Sequence, residues 1–197
     1  MKNNLKKLLF ILVVITTLSC KKNNNTAVAP SELTNNGDIE NGFKNWFFGF
    51  DDFHPKNPNN YTFGFTEEFA ASPKNSLKIN CNKVTNDTAF CFFSQTIPTT
   101  NIRVGAKLTL KVKIKTLNVV GQGISIAIRG DKIGTKQSVF FKTTQGITTI
   151  TGNQDFKEYS VSLESYTGDA NQIFIFLVFL SKTTGSVYFD DVSLTEN

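Results

Sequence analysis

The stretch "AKLTLKVKIKTL", residues 106–117, decides the fold. Leu108, Leu110, Val112 and Ile114 fall on one side of a two-residue period, and Lys107, Thr109, Lys111, Lys113 and Lys115 fall on the other. A helix would scatter these apolar residues around its circumference, whereas successive strand side chains point to opposite faces. The stretch is therefore a strand with one face on a core and the other in water. Working outward, "ISIAIRG" (124–130) repeats the scheme, with Ile124, Ile126 and Ile128 inward and Ser125, Ala127 and Arg129 outward. "FKEYSVSL" (156–163) carries Phe156, Tyr159, Val161 and Leu163 as apolar marks. "NVVGQG", "RGDKIG", "TGNQD" and "YTGDAN" punctuate these runs with Gly, Asn and Asp turn chemistry. About nine or ten strands at this spacing, with hardly a helical period among them, predict an all-β antiparallel β-sandwich. The domain is expected over residues 35–197.

Two segments break the alternation. "QIFIFLVFL" (172–180) is apolar on both faces, so its outer face is either covered by a loop or left as a ligand groove. The aromatic-rich segment after Trp46 is the expected cover, lying over Phe174 and Phe176. "GSVYFDDVSL" (185–194) places Asp190 and Asp191 inside a strand, where adjacent side chains face opposite ways. One carboxylate must then face the core, where an unpaired charge is costly. A cation, a Lys or Arg, or a nest of backbone donors has to compensate it.

At the other end, "MKNNLKK" is a basic stretch and "LLFILVVITTL" an apolar one of signal-peptide length, running into Ser19–Cys20. This resembles a bacterial lipoprotein signal. Residues 1–19 are then a leader, Cys20 the lipid-bearing residue, and the Asn-rich segment 20–34 a flexible tether. The expected location is the bacterial outer membrane, with the periplasmic and surface sides both open. Three of the 21 Lys and Arg lie in the leader, leaving 18 against 16 Asp and Glu, a net of +2. No basic cluster stands among stacking aromatics, so no nucleic-acid partner is expected.

Two further cysteines sit on "SLKINC" (76–81) and "AFCFFSQ" (89–95), which read as the arms of a hairpin around "NKVTND". A turn near Asn86 would set Cys81 opposite Cys91, within disulfide range, and a bridge is expected there. Catalysis is not expected. His54 is the single His, no Cys–His motif is present, and Asp51–Asp52 and Glu67–Glu68 are strand neighbours whose side chains diverge.

Four motifs in order, "NNGDIENGFKNW" (35–46), "ASPKNSLKIN" (71–80), "GNQDFKEYSVSL" (152–163) and "GSVYFDDVSL" (185–194), resemble the carbohydrate-binding modules of families 4, 9 and 22. These belong to the galactose-binding-domain-like jelly-roll group. Ile39 stands where the family has Phe, and Phe156 where it has Trp. The resemblance implies a jelly roll and a structural Ca²⁺ held by Glu40 and Asp190, with Asp191 the less favoured ligand and Asp38 an additional one. It also implies a glycan-binding function without catalysis.

Trp46 occupies a motif position assigned to packing. Of the remaining aromatics, those in "FFGFDDFHPKNPNNYTFGF" (47–65) offer Phe53 and Tyr61 as ring faces beside Asp51, Asp52, His54 and Asn57 as hydrogen-bonding groups. A protein-binding module of an envelope complex is the alternative function. The lysine row of 107–115 either meets an acidic polysaccharide or is a solvated sheet face.

Overall fold

The computed structural model of the chain describes residues 30–135 and 137–197. The leader, Cys20 and most of the tether lie outside these. The described residues form eleven strands and no helix. They are β1 (Ser31–Glu32), β2 (Phe47–Phe50), β3 (Thr62–Thr66), β4 (Ser76–Cys81), β5 (Cys91–Pro98) and β6 (Leu108–Val120), followed by β7 (Ile124–Lys132), β8 (Gln137–Thr143), β9 (Gly152–Leu163), β10 (Gln172–Phe179) and β11 (Thr184–Glu196). One sheet runs β3-β4-β11-β6-β9 with β1 also on β11, and the other runs β2-β5-β10-β7-β8. All pairings are antiparallel, which makes a jelly-roll β-sandwich.

The alternation of 106–117 holds. Leu108, Leu110, Val112 and Ile114 are fully buried between the sheets. The lysines of the same strand stand outside, and acidic residues of the flanking strands meet them. Lys107 pairs with Glu164, Lys111 with Glu158, Lys113 with Asp191 and Lys115 with Asp155, at 2.7–3.0 Å. This is a charge-balanced outer sheet face, the second of the two readings above.

The domain begins earlier than residue 35. Ser31 and Glu32 pair with Glu196 and Thr195, and the Glu32 carboxylate accepts the Leu194 N–H at 3.0 Å. Next, Asn36, in the left-handed region at φ 52°, organises the turn that follows. Its amide donates to the carbonyls of Gly42 and Lys44, its side-chain oxygen accepts from Asn41 N–H, and its carbonyl receives the Trp46 indole N–H. Trp46 and Ile39 are thereby delivered to the core. Gly37 lies against β11, where an added Cβ would stand 1.9 Å from the Val192 carbonyl oxygen.

The hairpin expected around Asn86 does not form. β4 and β5 belong to opposite sheets, so residues 82–90 carry the chain across the sandwich. Cys81 and Cys91 are buried, free thiols, which corrects the expected disulfide. Turn residues mark where a chain bends, but the sheet it joins next is set by which side of the core still needs covering.

Candidate functional site

Strand β10 explains where a ligand surface is available. Ile173, Ile175, Leu177 and Phe179 fill the core, leaving Phe174, Phe176 and Val178 on the outer side of its sheet. The expected cover is not there. The segment after Trp46 becomes β2, an edge strand of the same sheet, and lies beside β5 rather than over β10. Phe48 turns toward the seam between the sheets and stacks on Phe63 at 3.5 Å. That segment leaves the outer face uncovered, and a cleft of about 320 Å³ lies in it, with Phe176, Ser125 and Ala127 buried in its lining.

Phenylalanines from four strands line this cleft, Phe50 from β2, Phe92 from β5, Phe176 from β10 and Phe141 from β8. Phe92 and Phe176 meet edge to face at 5.2 Å. Polar groups stand between and around the rings, namely Asp51, Asp52, Gln122, Ser125, Arg129 and Gln145. Apolar ring faces with a few placed hydrogen-bonding groups are what a small-molecule or oligosaccharide site requires. Arg129 lies over both Phe174 and Phe176, 5.2 and 4.9 Å from their centroids, and pairs with Asp131 at 2.8 Å. A second hollow beside the cleft is lined by Asn45, Phe47, Thr96 and Phe174.

The loop residues singled out above divide. Asp51 and Asp52 line the cleft. Asp51 is almost wholly buried and accepts the N–H groups of Phe53, His54 and Phe90 and contacts the His54 ring at 2.8 Å. Burial pushes its carboxyl up, but the Phe90 N–H and His54 bonds outweigh this and hold it below the ordinary Asp value. Asp51 thus clamps the cleft rim to the start of β5.

His54 serves that clamp, and Phe53 is 90% exposed, away from the cleft lining. Asn57 is a turn residue that exchanges hydrogen bonds with the Tyr61 backbone. Tyr61 is a core residue whose hydroxyl donates to the Ala89 carbonyl, and desolvation pushes its pKa up to about 12. Of these four, only Tyr61 is absorbed into the core, while Phe53 and Asn57 stay exposed outside the cleft lining. Arg129, Phe92, Phe141 and Gln122 were missed, because each is an ordinary outward strand or turn residue until β5, β10, β7 and β8 stand side by side. The two-faced apolarity of 172–180 was the one signal pointing to them.

The proposed calcium ligands have other partners. Asp190 is fully buried and accepts from Ala71 N–H at 2.6 Å, Ser72 N–H at 2.8 Å, the Ser72 hydroxyl at 2.8 Å and Asp191 N–H at 2.7 Å. Burial raises its pKa, and these donors oppose the rise without cancelling it. Glu40 accepts the N–H groups of Lys74 and Asn75 at 2.9 and 3.0 Å, and the Asn75 bond leads in lowering its pKa. Asp191 takes φ +44° in a β-bulge and faces out to Lys113, while Asp38 accepts the Glu40 N–H. Both key carboxylates thus have hydrogen-bond donors that meet their charge without a cation. Among the described residues no three His, Cys, Asp or Glu side chains are grouped to hold a metal.

No family model matches the chain, and no curated protein does. Solved structures do. The enzymatically active domain of tailspike protein 4 from bacteriophage CBA120 aligns with a TM-score of 0.63 at 15% identity over 84% of this chain and 21% of that one, so the chain spans about a fifth of its length. A carbohydrate-binding module of family 4 aligns with 0.54 at 16% identity, covering 83% of this chain and 99% of that one. The CBM22-1 xylan-binding domain of Xyn10C from Paenibacillus barcinonensis aligns with 0.54 at 12% identity, covering 86% and 97%. The fold is the jelly-roll β-sandwich of carbohydrate-binding modules.

Proposed function

We propose that this chain, which has the fold of carbohydrate-binding modules, is a non-catalytic glycan-binding lipoprotein displayed on the bacterial cell envelope. The observation that carries the reading is the open, phenylalanine-lined cleft on the outer face of β2-β5-β10-β7-β8, with Asp52, Gln122, Arg129 and Gln145 placed to bond hydroxyl groups. Sugar rings stack their C–H faces on aromatic rings, and the polar rim selects among hydroxyl patterns. Catalysis is disfavoured because Asp51 is already committed to three backbone donors and His54, leaving Asp52 without a carboxylate partner in the lining. The basic and apolar leader ending at Cys20 supports lipid anchoring, and Cys20→Ala should release the protein from the membrane fraction.

The test is a glycan array probed with residues 30–197, followed by calorimetry on the hits. Phe92→Ala should weaken binding by about 1–3 kcal/mol with little change in melting temperature. An array with no hits, or affinity indifferent to Phe92→Ala, would refute the reading. One observation favours a second reading, an envelope protein partner: Phe43, Phe63 and Phe65 are 39%, 46% and 54% exposed along the seam between β2 and β3. Capture of a partner abolished by Phe65→Ser but not by Phe92→Ala would select it.

A further inference from the structure

Charge selectivity in the cleft has an identifiable source, and it rests on the glycan reading above. Among the described residues, Arg129 is the one cationic side chain in the cleft lining. Its guanidinium is clamped between the faces of Phe174 and Phe176 on β10 and the Asp131 carboxylate two residues along its own strand. Both β7 positions face outward, because Arg129 pairs with Phe174 and Asp131 with Gln172 across the ladder. The opposite rim carries the carboxylates of Asp51 and Asp52. On the other sheet, the outward lysines 107, 111, 113 and 115 are matched by Glu164, Glu158, Asp191 and Asp155.

We infer that the Arg129–Asp131 pair makes the cleft selective for neutral glycans over acidic ones. An anionic sugar reaching Arg129 meets a cation whose charge is already balanced, and it must displace Asp131 while approaching the rim carboxylates. A neutral chain has neither penalty. It can accept hydrogen bonds from the guanidinium edge, which the two rings hold flat. Asp131 is thus a positioning residue that acts through Arg129, and removing its charge should convert the selectivity.

Affinity electrophoresis at neutral pH tests this, with xylan, mixed-linkage β-glucan and galactan as neutral polymers and polygalacturonate as the acidic one. Wild-type protein should be retarded by a neutral polymer and not by polygalacturonate. Asp131→Asn should raise affinity for polygalacturonate about tenfold or more, with the gain lost at high salt because it is a screened charge interaction. Adding Arg129→Gln to that variant should abolish the gain. Melting temperatures establish that each variant is folded.

A merely structural role for the pair would lower the melting temperature without creating salt-sensitive acidic binding. Wild-type protein that already binds polygalacturonate as tightly as neutral polymers overturns the inference. So does an Asp131→Asn variant that gains nothing, or a gain that survives loss of Arg129. Failure of the glycan reading itself looks different: wild-type protein is retarded by no polymer of either charge.

Discussion

Ser72 donates to both oxygens of Asp190, its backbone N–H to Oδ2 and its hydroxyl to Oδ1, each at 2.8 Å. The loop after β3 is thereby held to the final strand through a fully buried carboxylate. Asp190→Ala should strand these donors together with the Ala71 and Asp191 N–H groups, each lost partner of a buried group costing about 1–3 kcal/mol. A loss of at least about 3 kcal/mol by urea unfolding is expected. Asp191→Asn should barely move the midpoint, because Asn tolerates φ +44° and the lost Lys113 pair is surface-exposed.

The same geometry predicts indifference to calcium. Melting temperatures with excess EGTA and with added Ca²⁺ should coincide, since an ion bound only by the folded state would stabilise it by mass action. A rise on adding Ca²⁺ that vanishes in Asp190→Ala or Glu40→Ala would show that the donors give way to a metal.

Cys81 and Cys91 should behave as inert core thiols. Burial raises the pKa of both, Cys91 the more strongly, so little thiolate forms near neutral pH. In the folded protein of residues 30–197 neither should react with a disulfide reagent. Unfolding without reductant should expose two equivalents, and finding none would establish a bridge.

Asp51 gives a pH signature. Its folded pKa lies below the reference value of 3.8, so its contribution is present above that value and is lost as pH falls through the folded pKa. Asp190 acts in the opposite sense, since its pKa is raised; its contribution is lost as pH rises through the folded value. Asp51→Asn leaves the Asp190 effect in place and isolates the first. It should be less stable than wild type at pH 7, with the difference narrowing only below pH 3.8, as the pH falls through the folded pKa, in urea titrations. A constant difference across that range would show that the ionised carboxylate is not what holds the rim.

The β-rich architecture was legible from residues 106–117 and 124–130 alone. A two-residue apolar period can bury its hydrophobic side only as a sheet face. The motif from Asn36 to Trp46 was legible for the same kind of reason, being a local turn whose hydrogen bonds close within ten residues. The sheet membership of β4 and β5 was not, because strands of opposite sheets bury the same apolar pattern against one core. The need of Asp190 for a partner followed from one charged residue at an inward strand position. The partner's identity required segment 71–72, more than a hundred residues away, to be folded against it.

The candidate site divides along the same line. Residues 172–180 by themselves determined that one strand would present a second apolar face, since no two-layer sandwich can bury both sides of a strand. Only the tertiary structure decided that this face is left uncovered by the expected segment, which found unpaired backbone groups on β5 and hydrogen-bonded there as β2. Phe92, Phe141, Phe176 and Arg129 then meet across strands far apart in sequence. Their convergence is a property of strand order, and alternation along a single strand carries no information about strand order.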